Sequence, residues 1–143
     1  CRFVATNGAG FGWSEATLMF NNGEYSIGNK YSRVVEIVPP LQPDGSYALA
    51  GGVYGPAEFC WQFEYTPRTQ FFSQFMSGAQ RLPDGNTLIC SAEQGWFIEA
   101  TAAGEVVWSY YNRLPTAETA SVFRAERYEL FTPWVELTAA ADE

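Results

Sequence analysis

The clearest alternation of apolar and polar positions lies in residues 77–112, SGAQRLPDGNTLICSAEQGWFIEATAAGEVVWSYYN. Three strand-like runs are joined there by two short turns. Pro83-Asp84-Gly85 is a turn by its chemistry: proline presets φ, aspartate bonds its own backbone, and glycine accepts φ > 0. The run Asn86–Ser91 then sets Leu88 and Cys90 on one face and Thr87 and Ile89 on the other. Gln94-Gly95 interrupts it. Trp96–Ala100 follows, with Trp96 and Ile98 on one face and Phe97 and Glu99 on the other. Ala103-Gly104 turns the chain again, and Val106–Tyr111 places Val106, Trp108 and Tyr110 on one face. Strands spaced this closely, with tight turns between them, predict an antiparallel meander.

The same alternation runs more weakly upstream. Residues 1–15 are rich in Gly and Asn and read as an irregular entry segment. Ala16–Phe20 is a short apolar strand, closed by the hairpin-type turn Asn21-Asn22-Gly23. Gly28–Ser32 reads as a loop, and Arg33–Val38 as a strand that Pro39-Pro40 stops. Residues 41–54 carry a second Pro43-Asp44-Gly45 turn, a short strand Tyr47–Ala50 and the break Gly51-Gly52. Glu58–Tyr65 is expected to be a long strand. Downstream, Asn112–Ala120 is a polar loop, Ser121–Tyr128 an alternating strand, and residues 131–137 irregular. Residues 138–143 form a polar, acidic tail with the composition of a disordered end. No long segment has helical periodicity.

Parts of this pattern occur twice. Gly23, Val35-Glu36-Ile37 and Trp61, two residues before an aromatic and followed by Tyr65, come in the order of Gly85, Ile98-Glu99-Ala100 and Trp108, two residues before Tyr110. The first copy carries a long insertion between Val38 and Pro56. A multi-strand unit recurring at roughly 45–60 residues is the signature of propeller blades. The expected fold is therefore all-β: antiparallel four-stranded blades of a partial β-propeller, with a small β-sandwich as the alternative. The blades occupy residues 16–137, with repeat units at about 16–65 and 79–128.

Composition narrows the classes of partner. With 143 residues the chain has room for one domain with a core. Lys and Arg number 8 against 16 Asp and Glu, a net charge of −8. No basic block exists to neutralise phosphates, so nucleic acid is not an expected partner. The aromatic share of 17% favours strands over helices. No run approaches the roughly 20 apolar residues that span a bilayer, so no transmembrane segment is expected. Residue 1 is Cys1. It is either the lipid-bearing first residue of a mature bacterial lipoprotein, and so an anchor, or simply the point where a fragment begins. Cys60 and Cys90 sit in apolar strand contexts, as buried free thiols or as a disulfide in an oxidising compartment. The cysteine spacing fits no zinc pattern, and no cofactor or metal is expected.

A family resemblance rests on several of these residues together. Ser77-Gly78-Ala79-Gln80-Arg81-Leu82-Pro83-Asp84-Gly85-Asn86-Thr87-Leu88-Ile89 resembles the signature of bacterial aryl-sulfate sulfotransferase-like propeller proteins. Phe97–Thr101, Gly104–Trp108 and Val122-Phe123-Arg124 are similar to the same family, as are Phe20–Gly23 and Val35–Pro40 upstream. The likeness covers roughly residues 16–128. It implies a secreted or periplasmic β-propeller, and it implies sulfuryl transfer from an aryl sulfate to a phenol. In that family a histidine carries the sulfuryl group, and this chain has no histidine. No catalytic residue is therefore carried over. A His-based triad or metal site is excluded as well.

The chain suffices for about three blades, and three blades leave unpaired edges. The expected partners are thus other protein chains, or the rest of a larger propeller, covering those edges. The expected function is a non-catalytic structural or binding segment of a secreted or periplasmic protein or assembly. The alternative is a piece of an enzyme whose catalytic histidine lies outside this chain. Arg81, Arg124 and Arg127 are candidates for holding an anion such as sulfate. Their competing role is salt bridging to the excess carboxylates. Glu36 and Glu99 hold equivalent repeat positions, either facing solvent or a neighbouring strand, or paired in a central channel. Trp61, Trp96 and Trp108 offer a sugar-stacking platform, or Trp61 and Trp108 wedge between blades. Asp44 and Gly45, like Asp84 and Gly85, are turn residues rather than calcium ligands.

Overall fold

The computed structural model describes residues 16–23, 28, 30–114, 116 and 120–128. The expectations for the entry segment with Cys1, for residues 131–137 and for the tail 138–143 lie outside these residues. The described chain is all-β with antiparallel pairing throughout. In chain order its strands are β1 Thr17–Asn21, β2 Arg33–Ile37, β3 Leu49–Ala50, β4 Val53–Tyr54, β5 Trp61–Phe63, β6 Gly78–Arg81, β7 Thr87–Ser91, β8 Trp96–Ala100 and β9 Val106–Tyr111. The one helical piece among them is a 3-10 turn, Arg68–Gln70.

Three sheets result. β1, β2 and β5 form the first, with β2 central. β6, β7, β8 and β9 form a four-stranded meander. β3 and β4 form a small hairpin inside the insertion after β2, turning through Gly51 and Gly52 at φ 60° and 81°. Few L-residues adopt that conformation, which is why two glycines stand there.

The two larger sheets stack face to face over one core. Val34 and Phe63 from the first sheet meet Ile89, Trp96, Ile98 and Ala100 from the second. Phe71, from the strap between the sheets, fills the middle and is fully buried. Its ring lies 5.6 Å from Phe20 and meets Phe63 and Trp96 edge-on, each at 5.9 Å. Such tilted and edge-on contacts suit the charge distribution of aromatic rings. The alternation read from the sequence sets this core. Trp96 and Ile98 point inward, and Ile89 lies directly opposite Ile98. Stacked antiparallel sheets are common to neighbouring propeller blades and to small sandwiches.

Three expectations change. First, the strand expected over Glu58–Tyr65 shrinks to Trp61–Phe63. At one end its partner β2 runs into Pro39-Pro40, and proline offers no ladder N–H. At the other end, Ser32 N–H donates to Phe71 O at 2.7 Å, so the strap takes the place β5 would have held. Second, Ser121–Tyr128 forms no strand and joins no ladder. It is pinned instead by the Gln80 side chain, which donates to Arg127 O and accepts from Arg127 N–H at 2.9 and 2.7 Å. Third, Gly78–Arg81, which carries no β-branched or aromatic residue, is the fourth strand of the second sheet.

Candidate functional site

The register exposes a repeated unit of side chains. In the first sheet Glu36 lies opposite Trp61, and in the second Glu99 lies opposite Trp108. Both glutamates are 8% exposed. A buried carboxylate needs a partner, and each finds an arginine from the chain that follows its own sheet. Arg81 on β6 reaches Glu36 at 2.6 Å, and Arg127 reaches Glu99 at 2.7 Å. Arg81 also bonds the Thr87 hydroxyl and lies 4.5 Å from the Trp61 ring centre. Glu99 takes a further bond from the Asn86 amide at 2.8 Å.

The candidate anion-binding residues are thus not gathered at one place. Arg81 sits in the layer between the sheets, Arg127 lies on the opposite face of the second sheet, and Arg124 pairs with Glu126 at the surface. Glu36 and Glu99 likewise stand on different layers, each in its own ion pair.

The tryptophans divide in the same way, so the joint platform of Trp61, Trp96 and Trp108 does not form. Trp96 is 5% exposed, in the core against Tyr65, Phe71 and Tyr111. Trp61 flanks that core, and its indole N–H donates to Ala102 O at 2.9 Å. Trp108 faces the other way and is exposed; it stacks on Tyr110 at 6.3 Å, and Tyr110 stacks on Phe97 at 6.0 Å.

The Asp-Gly pairs form turns. Asp44 accepts from the Ser46 amide and hydroxyl, and these bonds, the hydroxyl first, hold its carboxyl below the usual carboxylate range. Asp84 accepts from Asn86 N–H at 2.9 Å. Gly45 and Gly85 follow at φ 84° and 89°.

A cluster that sequence reasoning missed lies in the strap, residues 71–77. Ser32 and Ser73 are fully buried polar residues. Ser73 N–H donates to Ser32 Oγ at 2.9 Å, and Ser32 Oγ donates to Asn22 O at 2.9 Å. Ser73 Oγ accepts from Glu93 N–H, while Ser77 Oγ accepts from Ala92 N–H and donates to Ser73 Oγ. Met76 and Ser77 adopt φ of 59° and 78°, a left-handed conformation uncommon outside glycine. The network around Ser77 is what holds that strain. The cluster ties both units to the strap, and each hydroxyl is engaged with backbone or with another hydroxyl, so the chemistry on view is structural. The signal in the sequence was the density of Ser, Gln and Asn at the ends of strands.

Two further features are apolar. A cavity of about 370 Å³ lies between Met19 and Ile37 on the outer face of the first sheet and a wall of Pro39, Pro40, Tyr47 and Tyr54. No charged side chain lines it. Cys60 and Cys90 are both free thiols. Burial pushes the Cys90 thiol up to about 11. Among the described residues, no cluster of His, Cys, Asp and Glu is arranged to hold a metal ion, and no helix is long and apolar enough to cross a membrane.

Comparison of the chain with protein-family models, with curated proteins and with solved structures finds no match.

Proposed function

We propose that this chain is a non-catalytic structural or binding segment of a β-propeller, in a secreted or periplasmic protein or assembly related to the arylsulfotransferase-like proteins. One observation carries the reading. Two successive units repeat the same Glu–Trp cross-strand pair, each glutamate is neutralised by an arginine downstream of its sheet, and the arginine that meets Glu36 comes from the next unit. Side chains repeated in register, with a contact handed from one unit to the next at Glu36–Arg81, fit the logic of radial repeat folds. The absence of histidine supports a role without sulfuryl transfer.

The partners follow from what is left open. Met19 on the outer face of the first sheet and Trp108 and Tyr110 on that of the second are exposed apolar side chains. Other chains, or further blades, would cover them. Intact mass and solution size of the native protein test the reading. A 15.9 kDa polypeptide in a particle several times larger is the expected result, and a longer polypeptide with further blades equally supports it. If that longer polypeptide transfers a sulfuryl group from an aryl sulfate, the non-catalytic assignment is overturned. A lone, stable monomer of 15.9 kDa overturns the propeller itself.

A further inference from the structure

We infer that β9 pairs edge to edge with β9 of a second copy of this chain, antiparallel, about a two-fold axis at Ser109. The inference goes beyond the propeller reading, because it uses the hydrogen-bonding edge of one strand and not the faces of the sheets.

β9 ends the four-stranded sheet, and among the described residues no strand pairs with its outer edge. The direction of its backbone groups follows from one bond. Asn112 N–H donates to Gly95 O at 2.7 Å, so Asn112 turns its amide toward β8. Opposed residues in an antiparallel ladder alternate between bonded and non-bonded pairs. Tyr110 and Trp108 therefore bond inward, while Ser109 and Tyr111 turn their N–H and C=O groups outward. The ladder shifts between Glu99 and Ala100, which face Trp108 and Val106, so Val107 is an extra residue on β9 and the regular alternation runs from Trp108 to Asn112.

Natural edges are blunted by charge, lysine, proline or a covering segment. β9 reads VVWSYY and contains no charged residue and no proline, and all six of its residues are exposed. The charges stand just outside it, Glu105 on one side and Arg113 on the other, both exposed. This arrangement selects the occupant. Antiparallel self-pairing centred on Ser109 sets the outward groups of the two Ser109 residues against each other. It sets Tyr111 opposite Val107 of the partner subunit. At both ends it brings the Glu105 side chain near Arg113 of the partner subunit, so the register that pairs the two Ser109 residues also joins opposite charges; the Glu105 carbonyl itself is taken by Thr101 N–H in its own hairpin. Trp108 then lies beside Tyr110 of the partner subunit in a non-bonded pair, where side chains approach most closely. The Phe97–Tyr110–Trp108 stack would continue across the junction. A two-fold contact of this kind closes on itself and yields a dimer rather than a filament.

Sedimentation of the 143-residue chain over a concentration series tests the pairing. Dimers in the micromolar range are expected. Ser109→Pro removes an outward N–H, which an edge strand tolerates in the monomer, and should weaken the dimer about tenfold or more. Glu105→Arg should weaken it about three- to tenfold by opposing two arginines, and adding Arg113→Glu should restore it. Hydrogen exchange supplies a second readout: the Ser109 and Tyr111 amides should gain protection with concentration, while those of Trp108 and Tyr110 stay unchanged. A chain that is monomeric throughout, or a charge swap that restores nothing, overturns the inference. A larger particle indifferent to Ser109→Pro also overturns it, while still supporting covered sheet faces.

Discussion

Removing the Arg81 guanidinium while keeping an apolar side chain, Arg81→Met, isolates the charge that joins the two units. Glu36 would remain 8% exposed beside Trp61, with its ion pair gone. Breaking a buried pair from one side costs about 3–5 kcal/mol, mostly because the other charge is left uncompensated. The lost contact with the Trp61 face adds about 0.5–1 kcal/mol. A loss of about 4 kcal/mol lowers Tm by roughly 10–15 °C in a domain of this size. Urea unfolding and thermal scans measure it. The second arm is Glu36→Leu added to Arg81→Met, which replaces the pair by apolar bulk and should recover most of the loss. The matching change at the second pair is a control. Arg127 is 47% exposed, so solvent screens it, and Arg127→Met should cost about 1 kcal/mol or less. The reasoning fails if Arg81→Met costs under about 1 kcal/mol, or if the double variant is no more stable than the single one.

Other expectations follow from single contacts. A Cβ on Gly95 would lie 2.4 Å from Ala120 O at φ 60°, so Gly95→Ala should cost roughly 2–4 kcal/mol. Gly104→Ala, with the same sign of φ but open space, should cost about 1 kcal/mol, and equal losses at the two sites would refute the close approach. Ser73→Ala strips a bond from Glu93 N–H and the contact with Ser77, and should lower stability by about 1–3 kcal/mol by denaturant unfolding. The Cys90 thiol is raised in the folded state from about 9 to about 11. Its contribution is therefore complete below pH 9 and is lost as pH rises from 9 towards 11, because the unfolded thiol ionises first. Cys90→Ala should remove part of the stability loss measured across that window, and Cys90 should resist alkylation at pH 8 until the chain unfolds.

The meander was legible because its strands alternate cleanly and its turns carry Asp-Gly chemistry. Leu88–Ile89 and Trp96–Ile98 needed nothing from elsewhere to declare their faces. β6 was not legible, since Gly78-Ala79-Gln80-Arg81 has no strand propensity of its own and is held as a strand by its pairing with β7. The reverse error occurred at Ser121–Tyr128, where alternation was not enough to make a strand and the segment is held instead by the Gln80 side chain. The limits of β5 were set by distant residues, Pro39 and Phe71, that no local pattern names. The site residues divide likewise. Glu36 and Glu99 stood out as equivalents in the sequence, but Glu36 meets Arg81 only through the stacking of the sheets, and Glu99 meets Arg127 only because segment 120–128 crosses the outer face of the second. The Ser32–Ser73–Ser77 network joins residues 41 positions apart, a separation that periodicity cannot bridge.

The pairing of Glu36 with Arg81 from the next sheet has a consequence for how the chain folds. The first sheet does not satisfy its own buried charge, whereas the second keeps Glu99, Asn86 and Arg127 within residues 79–128. The dependence runs one way, from the first sheet on the second, so in a linear array the first unit melts with its neighbour or before it. The first sheet, deprived of the segment carrying Arg81, would expose Trp61 and Phe63 and hold an unneutralised Glu36. Order would then propagate from the second sheet to the first, and a cut between residues 65 and 78 should cost the first half more than the second.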